Sequence, residues 1–362
     1  MDRQHAPIAG AAAVTKHPSR RLLFVGAHPG TAGSNISASR ELANQLAQQG
    51  WAVDVVSTRA SGVGRLVEQV GAAMRASTGG TTVVLDVFGG RAFHWARLVG
   101  KVCAARGVPY VAYLHGGGLP QVAERAPDAI GTLLQNASAT VSPSPWLART
   151  VASRWVVPQV IPNGIELSRY RWRQRERMGV SMLWVRALHP IYRPELAVQV
   201  VQRLHAQGIP ATLTMLGPDK AGMRGTLTAL IAQSGLAEHI RVVGAVPKEE
   251  IPRWMDEADL LLNTTDVDNA PVSLVEAMAS GLPVVTTNAG GIPDLLAAYR
   301  GPAPTPRGSA EALTAAVTSL LEQPEAAAAA SVSGREIAQA YDWPAVHARW
   351  SALLRTITER AA

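Results

Sequence analysis

The chain is almost without cysteine: Cys103 is the only one in 362 residues. That excludes a disulfide framework and any cysteine-built zinc site. No apolar run reaches the ~18 residues that a membrane span needs. The first twenty residues have no compact apolar segment behind a basic start, so no secretory signal is expected. The Gly-x-Gly-x-x-Gly fingerprint is also missing. After the first apolar run, Gly26 is followed by Gly30 and Gly33, which counts against a nicotinamide enzyme. No cluster of metal ligands stands out, and no aromatic-basic stripe or recognition helix points to nucleic acid.

What is present is a chain with 47% hydrophobic residues, ample for packed cores, and a length that suggests two domains. The net charge of +7 is uneven. Residues 1–165 carry 15 Lys+Arg and 7 Asp+Glu, whereas residues 166–362 carry 19 and 20. An anionic partner for the first half follows, such as a lipid headgroup surface or an acidic substrate. A composition bias is the competing account, since arginine outnumbers lysine 30 to 4.

Residues 1–19 read as a flexible tail. From Arg20 onward, short β-branched runs alternate with amphipathic segments. Runs at 22–25, 53–56, 82–85, 108–113, 139–141 and 159–161 predict strands, with helices over 37–49 and 92–105. After the turn signal Pro162-Asn163-Gly164, the pattern restarts with runs at 182–185, 212–216, 240–243, 260–262 and 283–286. Continuous apolar strands separated by helices predict parallel sheets covered on both faces. The expected architecture is α/β: a doubly wound domain over 20–165, a second over 166–340, and an amphipathic helix within 341–362 that packs back on the first. Arg169 to Arg177 reads as a basic solvated linker or helix face. Ligands are expected beyond the C-terminal ends of the strands, in the cleft between the domains.

Several segments carry chemistry. The Gly26–Gly33 turn before a helix suits a phosphate, although an ordinary strand-to-helix turn has the same composition. His115 ends a strand and is followed by Gly116-Gly117-Gly118, so it faces the cleft where backbone can approach a ligand. Asp268 lies in a polar loop that leads to a helix opened by Ser273. Glu276, three positions on, matches a capping box, and also suits a carboxylate that accepts hydrogen bonds from vicinal sugar hydroxyls.

With these pieces in order, the chain resembles a retaining glycosyltransferase of family 4, with the GT-B architecture of two facing Rossmann-like domains. The matching segments are the Gly30–Gly33 loop, His115-Gly116, Val160 to Ile165, Gly217-Pro218-Asp219, Asp268 to Val285, and Gly290 to Pro293. They span the chain from about Arg20 onward. The resemblance implies a nucleotide-diphosphate sugar as donor, no separate cofactor and no metal. It implies a glycan or lipid-linked saccharide acceptor. The lone cysteine and missing signal suggest a cytoplasmic protein, and the positive first half suggests peripheral attachment at the inner membrane face.

Family roles carry over position by position. Glu276 resembles the acid that binds the nucleotide ribose. Asp268 takes the place of the acid near the donor sugar, where the family pattern has the longer glutamate. Arg186 resembles the arginine that contacts the diphosphate. The lysine usual a few residues later is missing, and Arg193 is the nearest cation to replace it, or else a surface charge. His115 positions the sugar. Gly30, Gly33, Gly217, Asn269, Ala270, Pro271, Val272, Ser273 and Leu274 complete the nucleotide-binding set. A sugar-nucleotide epimerase on the same scaffold and a non-catalytic nucleotide-sugar-binding scaffold are the competing readings.

Overall fold

The computed structural model of the chain describes residues 21–26, 37–56, 62–152, 156–176 and 178–360. The tail at 1–19 and the turn holding Gly30 and Gly33 lie outside the described residues.

Two parallel sheets form, as the alternation of apolar runs and helices predicts. The first contains β1 (Arg21–Val25), β2 (Ala52–Val56), β3 (Thr81–Val87), β4 (Tyr110–Leu114), β5 (Ala139–Ser142) and β6 (Gln159–Val160), in the spatial order β2-β1-β3-β4-β5-β6. The second contains β7 (Ser181–Val185), β8 (Thr212–Leu216), β9 (Ile240–Gly244), β10 (Leu260–Asn263) and β11 (Val284–Thr286), in the order β11-β10-β7-β8-β9. Every pairing is parallel, with Leu22 opposite both Val53 and Thr82, and Leu183 opposite both Leu261 and Thr214. Strands buried on both sides have no polar face to alternate, which is why they read as unbroken apolar runs.

On one face of the first sheet, helices Gly62–Arg75, Arg91–Ala105 and Pro127–Gln135 bury Ala72, Phe93, Val99 and Leu133 against β1, β3 and β4. The other face is covered by helix Ala38–Gln48 and by the C-terminal helix Trp343–Arg360. Trp350 of that last helix is fully buried and meets Tyr113 edge-on at 5.1 Å between ring centroids. The final helix therefore completes the core of the first domain. Its entry is fixed where the chain crosses between domains twice, side by side. Ile165 donates its N–H to the Tyr341 carbonyl (2.8 Å), and Trp343 donates to the Ile165 carbonyl (3.0 Å). Among the described residues no helix is long and apolar enough to cross a membrane.

The basic stretch after the first crossing is not a solvated linker throughout. Arg175 is only 4% exposed. Its guanidinium donates to the carbonyls of Arg173, Ser280, Met255 and Ala258, at 2.6 to 3.3 Å. Burial pulls its pKa down to about 10, and those acceptors keep a charge in the core tolerable. The strap is thus anchored on the second domain by an arginine that a run of like charges conceals in the sequence.

Candidate active site

In each sheet the strand order reverses beside its first strand, between β1 and β3 and between β7 and β10. Crevices open at the C-terminal ends of strands at such points. The two crevices face each other and enclose two adjoining cavities.

The first cavity is about 340 Å³ and draws on both domains. Arg186, Gly217, Lys220, Lys248, Ser273 and Glu276 line it from the second, and Glu41 reaches in from the first. Arg186 follows β7. Its Nε donates to Asn263 Oδ1 (3.2 Å), its guanidinium pairs with the Asp268 carboxylate, and its Cζ lies 5.2 Å from the centre of the Tyr192 ring. Three side chains thus fix its orientation. Gly217, at the end of β8, presses against it with φ +142°, and a Cβ there would sit 1.7 Å from the Arg186 carbonyl oxygen. Only glycine permits that approach.

Glu276 is buried on helix Val272–Ala279. The helix starts two residues earlier than the capping box requires. Pro271 is the N-cap, and Ser273 makes no cap hydrogen bond. Glu276 therefore does not cap the helix; instead its Oε1 accepts a hydrogen bond from the Tyr170 hydroxyl (2.8 Å). Burial pushes its carboxyl above the usual range, opposed by the Lys248 charge and the Tyr170 bond. One oxygen is thus engaged by the protein, on a carboxylate that lines the first cavity.

The second cavity, about 440 Å³, lies between the His115-Gly116-Gly117-Gly118 turn and the Val267–Ala270 loop. Asn163, Tyr192 and Ala270 line both cavities and so join them. Asp268 stands at the second, with burial raising its pKa against the pull of the Arg186 charge. Its loop is seated on Gly290 and Gly291, where added Cβ atoms would lie 1.7 Å and 2.0 Å from the carbonyl oxygens of Asp268 and Asn269. The glycine pair at 290–291 therefore supports the Asp268 backbone. Asn269 accepts a hydrogen bond from Ser144 of the first domain, which ties this loop across the cleft.

His115 ends β4 and is nearly buried between Phe88 and Tyr113. Its Nε2 lies 3.0 Å from Asp86 Oδ1. Asp86 fits because Gly26 opposite has no Cβ, which would fall 1.9 Å from Asp86 Oδ2. Asp86 therefore orients the imidazole as carboxylates orient ring nitrogens elsewhere. The signal for this pair in the sequence is a lone carboxylate inside the apolar run Thr81–Val87, which burial obliges to find a partner.

Three expected residues take other places. Leu274 lies in the core of the second domain, fully buried, and lines neither cavity. Arg193 lines neither cavity either, because its guanidinium is held by Glu195 (2.6 Å) and Asp266 (3.1 Å). Its charge is spent on those carboxylates. The cations at the first cavity besides Arg186 are Lys220 and Lys248, which the sequence reading did not single out. Lys248 Nζ meets Glu41 Oε2 at 2.5 Å across the cleft. Val272 and Ser273 line the first cavity, whereas Pro271 caps the helix and lines neither cavity. Among the described residues no group of three His, Cys, Asp or Glu side chains is arranged to hold a metal ion.

Comparison with known proteins adds to this geometry. A family model described as glycosyl transferases group 1 matches residues 173–337, and one described as glycosyltransferase family 4 matches residues 83–169. WcaL of Salmonella typhimurium, ascribed to colanic acid biosynthesis as a glycosyltransferase, is 29% identical over 204 residues, 54% of this chain and 50% of that protein. The amylovoran biosynthesis glycosyltransferase AmsK of Erwinia amylovora is 36% identical over 137 residues, 36% of this chain and 33% of that protein. The chain thus spans half or less of the length of these curated relatives. The structure of HepE from Anabaena in complex with UDP and glucose superposes with a TM-score of 0.70 at 18% identity, over 93% of this chain and 100% of that one.

Proposed function

Because the chain belongs to the group 1 glycosyltransferases of family 4, and has their two-domain GT-B fold, we propose that it moves a sugar from a nucleotide-diphosphate sugar to an acceptor hydroxyl, with retention at the anomeric carbon. The observation that carries this reading is the pair of joined cavities. One is cationic and glycine-edged, with a buried carboxylate. The other opens from it between Asp268 and the His115 turn.

In this reading the nucleoside diphosphate occupies the first cavity. Glu276 accepts a ribose hydroxyl, while Arg186, Lys220, Lys248 and the N-terminus of helix Val272–Ala279 surround the diphosphate. The sugar lies toward Asp268 and His115. The bond from the anomeric carbon to the phosphate oxygen breaks as the acceptor oxygen bonds to the same face of that carbon. The acceptor proton passes to the departing phosphate oxygen. Arg186 stabilises the charge that grows on the diphosphate, and the Ser144–Asn269 and Glu41–Lys248 contacts hold the cleft shut against water. His115, held by Asp86, positions the sugar rather than taking the proton.

The acceptor is a glycan or a lipid-linked saccharide of envelope or exopolysaccharide synthesis. The relatives' names support that, and the positive first half supports an acceptor at an anionic surface. The same reading places the protein in the cytoplasm, at the inner face of the membrane.

Incubation with UDP-, GDP-, ADP- and TDP-sugars and a polyprenyl-diphosphate saccharide tests it, with products followed by mass and by anomeric coupling in NMR. One donor is expected to yield a product one sugar heavier, with the donor's anomeric configuration. A free sugar or an epimer without acceptor would favour the epimerase reading, and donor binding with no turnover the scaffold reading.

A further inference from the structure

Of the seven large hydrophobic side chains exposed on the described residues, four lie on two helices of the first domain: Val63, Val67 and Met74 on Gly62–Arg75, and Leu98 on Arg91–Ala105. The four are between 42% and 78% exposed. Both helices bury their inner sides in the same core on the same face of the sheet, so their outer sides look the same way. Positions 63, 67 and 74 fall on one side of a helix, as do 91, 94, 98 and 101 on its neighbour. The outer face thus carries an apolar stripe beside Arg91, His94, Leu98 and Lys101.

Its charge is one-sided. The two helices hold five Lys and Arg and one acid, Glu68, which is half-buried. Arg75, Arg91, Lys101 and Arg106, which follows directly, are all exposed, and none takes part in an ion pair among the described residues. The next helix on this side of the sheet, Pro127–Gln135, turns Asp128, Thr132 and Gln135 outward and ends the patch. Nothing in a monomeric protein requires four exposed aliphatic side chains among unpaired cations. An anionic lipid surface accepts both, with the aliphatics entering the headgroup–acyl boundary and the cations meeting the headgroups.

We propose that the outer face of helices Gly62–Arg75 and Arg91–Ala105 docks the protein on an anionic bilayer. The orientation suits the cleft. Helix Arg91–Ala105 begins where β3 ends, and Gly62 starts its helix shortly after β2 ends. Val63, Val67 and Arg91 therefore lie at the cleft end of the patch. A hydroxyl carried just above the lipid headgroups is presented to the second cavity without the acceptor leaving the bilayer. This presentation rests on the proposed transfer; the docking itself does not.

Co-sedimentation of the full chain with vesicles tests the proposal. Vesicles with 30 mol% phosphatidylglycerol in phosphatidylcholine are expected to pellet the protein at ~50 mM salt, and phosphatidylcholine vesicles to leave it in solution. Salt at ~0.5 M releases most of it. The double variant Arg91→Gln/Lys101→Gln should bind about thirtyfold more weakly, at ~1 kcal/mol per basic residue. The double variant Val63→Ser/Val67→Ser should lose binding as well, with the melting temperature and nucleotide binding of both variants unchanged. Equal binding to both vesicle types, full binding by both variants, or no pelleting at low salt overturns the proposal, as does binding to RNA or a second copy that the same variants abolish while vesicle binding persists. Docking without sugar transfer would contradict the transfer reading alone; transfer to a soluble acceptor without docking would contradict this one alone.

Discussion

Arg186→Ala is expected to lower kcat by about 10²–10³, the usual loss when one positioned donor to a developing oxyanion is removed. The side chain lines the first cavity, pairs with Asp268 at the second, and is aimed by Asn263, Asp268 and Tyr192. An arginine held on three sides has little orientational freedom left to lose as the diphosphate departs. The loss should fall more on kcat than on KM, since the charge it meets is greatest in the transition state. Arg186→Lys should recover only part of the rate, because an ammonium cannot serve Asn263 and a phosphate through one planar fork. The alanine variant also leaves Asp268 as a buried carboxylate without its counter-charge, and such an unpairing costs about 3–5 kcal/mol. Adding Asp268→Asn should return much of that stability but not the rate. Steady-state kinetics with denaturant unfolding separates the two effects. An unchanged kcat in Arg186→Ala would remove Arg186 from the reaction.

Gly217→Ala is expected to damage stability and the site together. The new methyl would be driven into the Arg186 carbonyl at 1.7 Å, on a backbone with φ +142°. Both effects point the same way, and together they cost ~3 kcal/mol or more. The backbone can relieve the clash only by parting the ends of β7 and β8. That breaks the bonds from Arg186 N to the Leu216 carbonyl (3.0 Å) and from Leu188 N to the Pro218 carbonyl (2.9 Å). Arg186 moves with them, so nucleotide binding falls along with the melting temperature. Gly208→Ala is the control: its φ is +79°, but nothing lies within 4 Å of the added methyl. It should cost only the ~1–2 kcal/mol of left-handed strain and leave binding intact. If both variants melt alike and bind alike, close packing at Gly217 does not matter.

The fold was legible because its strands are buried on both sides. Leu22 to Val25 and Met182 to Val185 can form little else once helices flank them. The loop carrying Asp268 and the helix carrying Glu276 were legible for the same reason, since a polar segment between buried elements must lie at a strand end. What escaped was set by tertiary packing. Arg175 looks like one charge in a basic run until four carbonyls surround it. Ser273 and Glu276 have the spacing of a capping box, yet Pro271 ends the preceding loop two residues early and moves both inward. Leu274 shares a motif with site residues, but its side chain falls on the inner side of the helix. Arg193 is near Arg186 in sequence, but its left-handed backbone, φ +49°, accompanies a side chain turned to Glu195 and Asp266. Lys248 stands more than sixty positions from Arg186, where no local pattern would pair them.

The most direct test is a titration of the ligand-free protein and of Glu276→Gln with UDP, GDP, ADP and TDP, followed by thermal stability and calorimetry. Burial raises the Glu276 pKa. Its contribution to folding is therefore complete below the unfolded-state pKa and is lost as the pH rises through the raised value. At neutral pH the glutamine variant, which keeps an acceptor for Tyr170 without a charge, should melt higher than the wild type. The wild type should bind one nucleotide selectively and gain about 2.7 kcal/mol at 100 times its Kd. The variant should gain little at the same concentration. A variant that binds as tightly as the wild type, or a wild type that binds none of the four at millimolar concentration, would contradict a nucleotide-sugar site built around Glu276.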